Sequence, residues 1–326
     1  KTSLGMLTAQ DPKLSLAMEA DDPQQAGPGT VLITGGGGLI GTALAAALLR
    51  DGNAVERTSR RELDVRDARA VRDRVVALEP RVIFHLAGDS DLARCARDPD
   101  MAAELHVGGT RNVLDAAARL AQPPAFVCAS TRHVYDHDAG AGPIGERGTF
   151  VTTPGYGETR ARADLLVMAS RDVPAASLRL TNVYGPGDPR SGRIVPVIES
   201  SIRHRRPIEL LAGSSRQLEL LHVDDAVAAY LALAAALVAG RRGVAGSAFN
   251  AGSGVATTAG ELVATAQESA GTALPVRFGA GHEAARPLRL LESSALHSAT
   301  GWKPRVALGD GLAGVVAGTG AQHPTI

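Results

Sequence analysis

"TVLITGGGGLIGTALAAALLRDG", residues 30–52, is the stretch whose reading decides the fold. It opens as an apolar run rich in β-branched residues, passes through glycines, and continues with apolar residues at helical spacing as far as Gly52. The first part reads as a buried strand, and the part after the glycines reads as a helix closed by Gly52. Gly35, Gly38 and Gly41 stand at the junction. Without Cβ atoms the backbone can turn tightly and approach a pyrophosphate, which then sits at the helix N-terminus. With Leu39 and Ile40 between them, these glycines form the candidate dinucleotide-binding loop. The competing reading is a tight turn with no ligand.

Outward from this unit the pattern alternates. Strands are expected at 54–59, 81–88, 125–130 and 175–185, and helices at 67–80, 101–121 and 156–171. Strand and helix in alternation imply right-handed βαβ units, hence an α/β fold with a doubly wound parallel sheet covered on both faces. After about residue 186 the rhythm breaks into short apolar segments and loops, with helices at 224–239 and 258–271. That predicts a smaller C-terminal α/β substrate lobe against the sheet edge where open α/β proteins bind ligands. The expected organisation is a tail or tag over 1–28, a dinucleotide-binding domain over 29–185, and mainly a substrate lobe over 186–326, able to return a strand to the sheet. A short capping helix over "PKLSLAMEA" is the alternative for the first segment.

Composition narrows the class. Of the 326 residues 44% are hydrophobic and 21% charged, which is ordinary for a globular protein. The formal net charge is zero, which argues against a nucleic-acid or anionic-membrane partner. No apolar run approaches the roughly 20 residues needed to span a bilayer. Cys95 and Cys128 form no disulfide framework and lack metal-site spacing, so no metal is expected and a reducing, cytoplasmic setting fits.

About 20 residues beyond such a glycine loop, NAD-binding folds place an acid for the ribose 2′-hydroxyl. Here "TSRR" supplies Ser59, Arg60 and Arg61 and no acid at the strand end. Guanidinium groups suit a 2′-phosphate, so NADP is expected in preference to NAD. The bland alternative is a pair of solvated loop arginines. Asp64, just beyond, is a candidate for the adenine amino group or an N-cap of the next helix.

In "YGETR", Tyr156 and Arg160 stand four apart on one helical face, which places a cation beside a phenol. The order of "TGGGGLIG", "LDVRD", "VIFHLAG", "VGGTRNVLDAA", "CASTRHVY", "YGETR", "RLTNVYGPGDP", "LHVDDAVAAYLA", "FNAGSG" and "GWKP" resembles that of extended short-chain dehydrogenases/reductases. The likeness is to their NAD-dependent epimerase/dehydratase group, most of whose members act on nucleotide sugars, and it spans about 29–315. It implies a Rossmann-type domain, a homodimer formed through the helices near 101–120 and 156–171, and a nucleotide-sugar substrate. It also implies that Thr131 bonds the reacting sugar oxygen. Tyr156 would be the acid/base, Arg160 would stand at the usual lysine, and Leu86, Ala87 and Gly88 would pass beside the cofactor.

Three departures stand out. Arg160 keeps the lysine's charge but cannot relay a proton. Arg132 and His133 follow Thr131 where 4,6-dehydratases carry an acid and a base, which disfavours that reaction. His133 remains a candidate proton shuttle, since an ordinary imidazole titrates near 6.5. In the lobe, Leu218 and Glu219 stand where the family often carries an Arg-Asp phosphate grip, and Arg216 lies two residues early. Asn182 and Arg286 match phosphate-binding positions, as does Arg216 if it substitutes for the missing arginine. The leading expectation is an NAD(P)-dependent epimerase or reductase of a nucleotide-linked sugar. The alternatives are an NADPH-dependent reductase of a non-nucleotide carbonyl compound and a catalytically decayed dinucleotide-binding sensor.

Overall fold

A computed structural model describes residues 30–279 and 288–318. The segment 1–28 and Arg286 therefore lie outside the described residues. The first half runs β1 (Thr30–Thr34), α1 (Leu39–Arg50), β2 (Ala54–Thr58), α2 (Ala68–Leu78), β3 (Val82–His85), α3 (Leu92–Arg97), α4 (Pro99–Ala103), α5 (Gly109–Ala117), β4 (Ala125–Thr131), α6 (Tyr156–Ala169) and β5 (Ala175–Leu180). The second half adds β6 (Asn182–Tyr184), α7 (Ile194–Arg203), β7 (Ile208–Leu210), β8 (Gln217–His222), α8 (Val223–Val238), β9 (Ser247–Ala251), β10 (Ala256–Thr258), α9 (Ala259–Ser269), β11 (Val276–Phe278), α10 (Ser294–Thr300) and α11 (Leu308–Val316).

The main sheet has six strands in the order β2-β1-β3-β4-β5-β9, and each of its pairs is parallel. Strand order reverses between β1 and β3, so the crevice outside their C-terminal ends is where such a sheet binds ligand. Helices cover both faces, which is why the strands read as near-continuous apolar runs. Val31 and Ile33 pack with Leu44 and Leu48 of α1 and Tyr230 and Leu233 of α8 on one face. Leu32 and Ile83 pack with Val71 of α2, Val113 of α5 and Val167 of α6 on the other. Each such aliphatic side chain contributes about 1.5–3 kcal/mol when fully buried. α8 and β9 come from the second half of the chain yet complete the layers around this sheet.

Two elements differ from their sequence expectations. The apolar run 175–185 is two strands, because the chain changes sheets at Thr181. Thr181 sends its N–H to Ala251 O and its hydroxyl to Glu219 O, 2.9 Å away. β6 then pairs with β8 in a separate three-stranded sheet, β10-β8-β6. The helix expected over 101–121 is also interrupted, with a π-helical turn at Glu104–Gly108 separating α4 from α5. This wider turn brings His106 and Val107 into the interior. The lobe's own core gathers Tyr184, Ile198, Ile208, Leu220, Leu262 and Leu312. No helix among the described residues is long and apolar enough to cross a membrane.

Candidate active site

A cleft of about 560 Å³ opens at the strand-order reversal and runs from the glycine loop to the loop after β6. Gly35, Gly38, Leu39, Ile40 and Gly41 line one end, together with Ser59 and Arg60. Gly35 has φ of 69°, and a Cβ there would fall 2.5 Å from the Ala87 backbone, so the turn requires glycine. Gly38 is the N-cap of α1, no side chain caps that helix, and nothing lies within 4 Å of where its Cβ would be. The open cradle and the uncapped helix N-terminus suit a pyrophosphate, so the residues present fit a dinucleotide.

The ribose end is more selective than its sequence. Arg60 lines the cleft but Arg61 does not. The Ser59 N–H donates to the Glu62 carboxylate at 2.7 Å, which places an acid beside Ser59 after all, in the turn rather than at the strand end. Asp64 is not among the lining residues. Arg66 grips its carboxylate at 2.6 Å and, with a smaller contribution from Arg60, holds it well below the usual carboxylate range. Nor is Asp64 a helix cap, because Asp67 takes the Arg69 and Ala70 N–H groups at the start of α2. Leu86 and Gly88 line the cleft, while Ala87 is buried beneath Gly35.

α6 begins at Tyr156 and presents Tyr156 and Arg160 to the same cleft. Gly157 makes the close fit, since a Cβ there would meet the His133 carbonyl oxygen at 2.1 Å. The Arg160 guanidinium carbon lies 5.8 Å from the Tyr156 ring centroid, and its Nη1 donates to Ala129 O at 3.3 Å. Arg160 is only 5% exposed, and among the described residues its Nε has no partner. The site thus holds a buried cation over the face of the Tyr156 ring.

Thr131 ends β4 in the cleft wall and accepts the His133 N–H at 3.3 Å, which leaves its own hydroxyl hydrogen to give. The His133 ring stands 5.8 Å from that of Tyr156. Its pKa is pushed down to about 4, chiefly by burial and then by Arg132, His137 and Arg216, rather than staying near 6.5. At neutral pH the imidazole is therefore uncharged and a weak base. Arg132 turns away from the cleft and is buried, with Nη2 donating to Arg289 O at 2.8 Å and Nη1 lying 3.8 Å from Glu219. Glu219 is fully buried and accepts the Gly254 and Leu291 N–H groups, so it serves the packing of the lobe.

On the far wall, Asn182 lines the cleft as the sequence suggested, and Arg216 does not; it is exposed on the turn before β8. Arg190 and Arg193 do line it, along with Ser90, Ser130, Asp188 and Tyr230. Sequence reading passed over these two arginines, although "GPGDPRSGR" comes directly after the recognised "NVY". Arg193 pairs with Asp188 at 3.5 Å. Among the described residues no cluster of His, Cys, Asp and Glu could hold a metal ion.

Residues 31–252 match the family described as NAD dependent epimerase/dehydratase. The chain is 27% identical over 318 residues to UDP-glucose 4-epimerase of Mycolicibacterium smegmatis, covering 87% of this chain and 96% of that protein. It is 30% identical over 251 residues to dTDP-glucose 4,6-dehydratase of Streptomyces griseus, covering 75% and 73%. The structure of RMD from Pseudomonas aeruginosa complexed with NADPH superimposes with a TM-score of 0.78 over 89% of this chain and 98% of that one, at 22% identity. Glycine cradle, strand order and sequence relatives agree: this chain belongs to the NAD-dependent epimerase/dehydratase family of extended short-chain dehydrogenases/reductases.

Proposed function

We propose that the chain is an NAD(P)-dependent enzyme that works at a carbon of a nucleotide-linked sugar, as an epimerase or a reductase. The observation that carries this reading is that Thr131, Tyr156 and Arg160 share one cleft with the glycine loop. The nicotinamide, when bound, supplies or takes up the hydride. The chain's own residues manage the oxygen on the reacting carbon. The Thr131 hydroxyl donates a hydrogen bond to that oxygen, and Tyr156 gives it a proton on reduction or removes one on oxidation. The charge of Arg160 attracts the negative charge that develops on the phenol oxygen as its proton leaves. Arginine does not relay protons, so the proton that restores the phenol after reduction, or that it gains on oxidation, is exchanged by a route other than the usual lysine. His133 faces the sugar as an uncharged polar contact, and Asn182, Arg190 and Arg193 receive the substrate's anionic part.

Arg60 in the cleft supports NADP over NAD, and Glu62 beside Ser59 is the feature that opposes it. A homodimer formed through α6 and the α4–α5 segment is supported by the half-exposed Leu165 on α6. A second reading, a reductase of a non-nucleotide carbonyl compound, draws on the exclusion of Arg216 and Glu219 from the cleft. A thermal-shift panel of nucleotide sugars, each with NADPH or NADH, separates these readings. Stabilisation by a nucleotide sugar together with NADPH is expected. Stabilisation by no nucleotide sugar would sink the leading reading, and tighter binding of NADH would sink the cofactor preference.

A further inference from the structure

His106 lies at the centre of the π-helical turn at Glu104–Gly108, 0% exposed. Single wide turns of this kind inside helices are frequent at functional sites. Its Nδ1 is 2.8 Å from Thr159 Oγ1, in the first turn of α6. Its Nε2 is 3.0 Å from the Asp89 carbonyl oxygen and 3.2 Å from the Asp89 N–H, in the loop after β3. The ring also meets the Tyr156 ring edge to face, with centroids 5.7 Å apart. One buried imidazole therefore touches the helix that carries Tyr156 and Arg160, the phenol itself, and the loop that carries Gly88.

We infer that His106 is a positioning residue, holding the Gly88–Asp89 loop and the first turn of α6 in register so that Tyr156 meets the substrate oxygen in the cleft. The inference rests on the proposed role of Tyr156. A neutral imidazole suits the task because one ring nitrogen donates while the other accepts, so either tautomer bonds at both ends. Burial, then the Arg160 charge, hold its pKa far below the ordinary histidine value, so the ring keeps its single proton. The other group exerting charge on it is His85, while Asp89 acts through its backbone carbonyl. A straight α-helix through 104–108 would turn this ring off the face it now shares with Thr159 and Asp89. That gives the irregular turn a purpose.

The test compares His106→Leu, which makes neither bond, with His106→Asn, which keeps a donor and an acceptor. In the leucine variant, amide hydrogen exchange should accelerate at least about tenfold in residues 86–91 and 155–160 together. Turnover with UDP-glucose as probe should fall about 100-fold, the usual effect of a displacement near 1 Å. Its KM should stay within about threefold of wild type, because Asn182, Arg190 and Arg193 lie outside the loosened segments. Asparagine should restore exchange protection and most of the turnover. Faster exchange in one segment alone or in neither, equal changes in kcat and KM, or no rescue by asparagine overturns the inference. If the leucine variant does not fold, nitrogen-15 NMR of the wild-type ring decides. A single protonated nitrogen from pH 5 to 8 is expected, and a ring titrating near 6.5 contradicts it. Should Tyr156→Phe keep full turnover, the acid/base reading fails while the exchange result still reports on the tie.

Discussion

The Arg160 guanidinium fills the space in front of Gly88: a Cβ at Gly88 would come within 1.9 Å of Arg160 Nη2. The absent side chain on the β3 loop is what makes room for arginine where the family usually carries lysine. Lysine is slimmer and would leave that space open.

This relationship predicts a non-additive pair. Gly88→Ala should displace the buried guanidinium and lower turnover by about 100-fold, since small shifts at a reacting centre carry costs of that order. Arg160→Lys removes the obstructing fork but not the backbone strain of an alanine at φ 158°, so Gly88→Ala should cost at least about tenfold less in the Arg160→Lys background than in the wild type. A double-mutant cycle of kcat measures this directly. Equal losses in both backgrounds would show that the two residues do not share the space.

The Arg132–Glu219 pair predicts a stability effect that leaves the cleft intact. Both are buried, and Glu219 also holds the Gly254 and Leu291 N–H groups. Removing one partner of such a pair typically costs about 3–5 kcal/mol, because the other charge stays buried and unpaired. Glu219→Ala should therefore lower the unfolding free energy by that order in urea, and Arg132→Met with Glu219→Leu should recover much of it. NADPH affinity should not change in either variant.

The buried histidines predict acid sensitivity. Burial, and for His85 and His106 the Arg160 charge, lower their folded values below the ordinary 6.5, to about 3 for His85 and about 4 for His133. A histidine lowered in the fold binds its proton first in the unfolded chain as pH falls. Its stabilisation is thus complete above about pH 6.5 and is lost as pH drops towards 4. Glu219 and Asp225 act in the opposite sense, because burial raises them and their contribution is lost as pH rises through their folded values. A melting temperature that declines steadily from pH 6.5 to 4.5 is expected. A flat profile would mean that the histidines are not held neutral.

Local sequence was enough to place several cleft residues, because their positions depend on short spacings. Gly35, Gly38 and Gly41 bridge a strand and a helix, and Tyr156 and Arg160 are one helical turn apart, so both were readable without neighbours. What sequence missed depends on contacts distant in the chain. Arg190 and Arg193 reach the cleft only because the chain changes sheets at Thr181 and sends the loop after β6 back across it. Arg132 resembles an active-site residue by position, yet its guanidinium is drawn to Glu219 and Arg289 O, both far along the chain. Arg61, Asp64 and Arg216 sit near cleft residues in sequence yet do not line the cleft. His106 was hidden because a π-helical turn has no simple periodic signature.

The central claim is that Tyr156 moves the proton in this cleft. The most direct measurement is the turnover of Tyr156→Phe with a nucleotide sugar that stabilises the wild-type enzyme, alongside its NADPH dissociation constant. The phenylalanine keeps the ring contacts with His106 and His133 and removes only the hydroxyl. Turnover is predicted to fall by about 10²–10⁴-fold, the range for losing a general acid/base, with cofactor affinity within about threefold of wild type. Undiminished turnover would contradict the account.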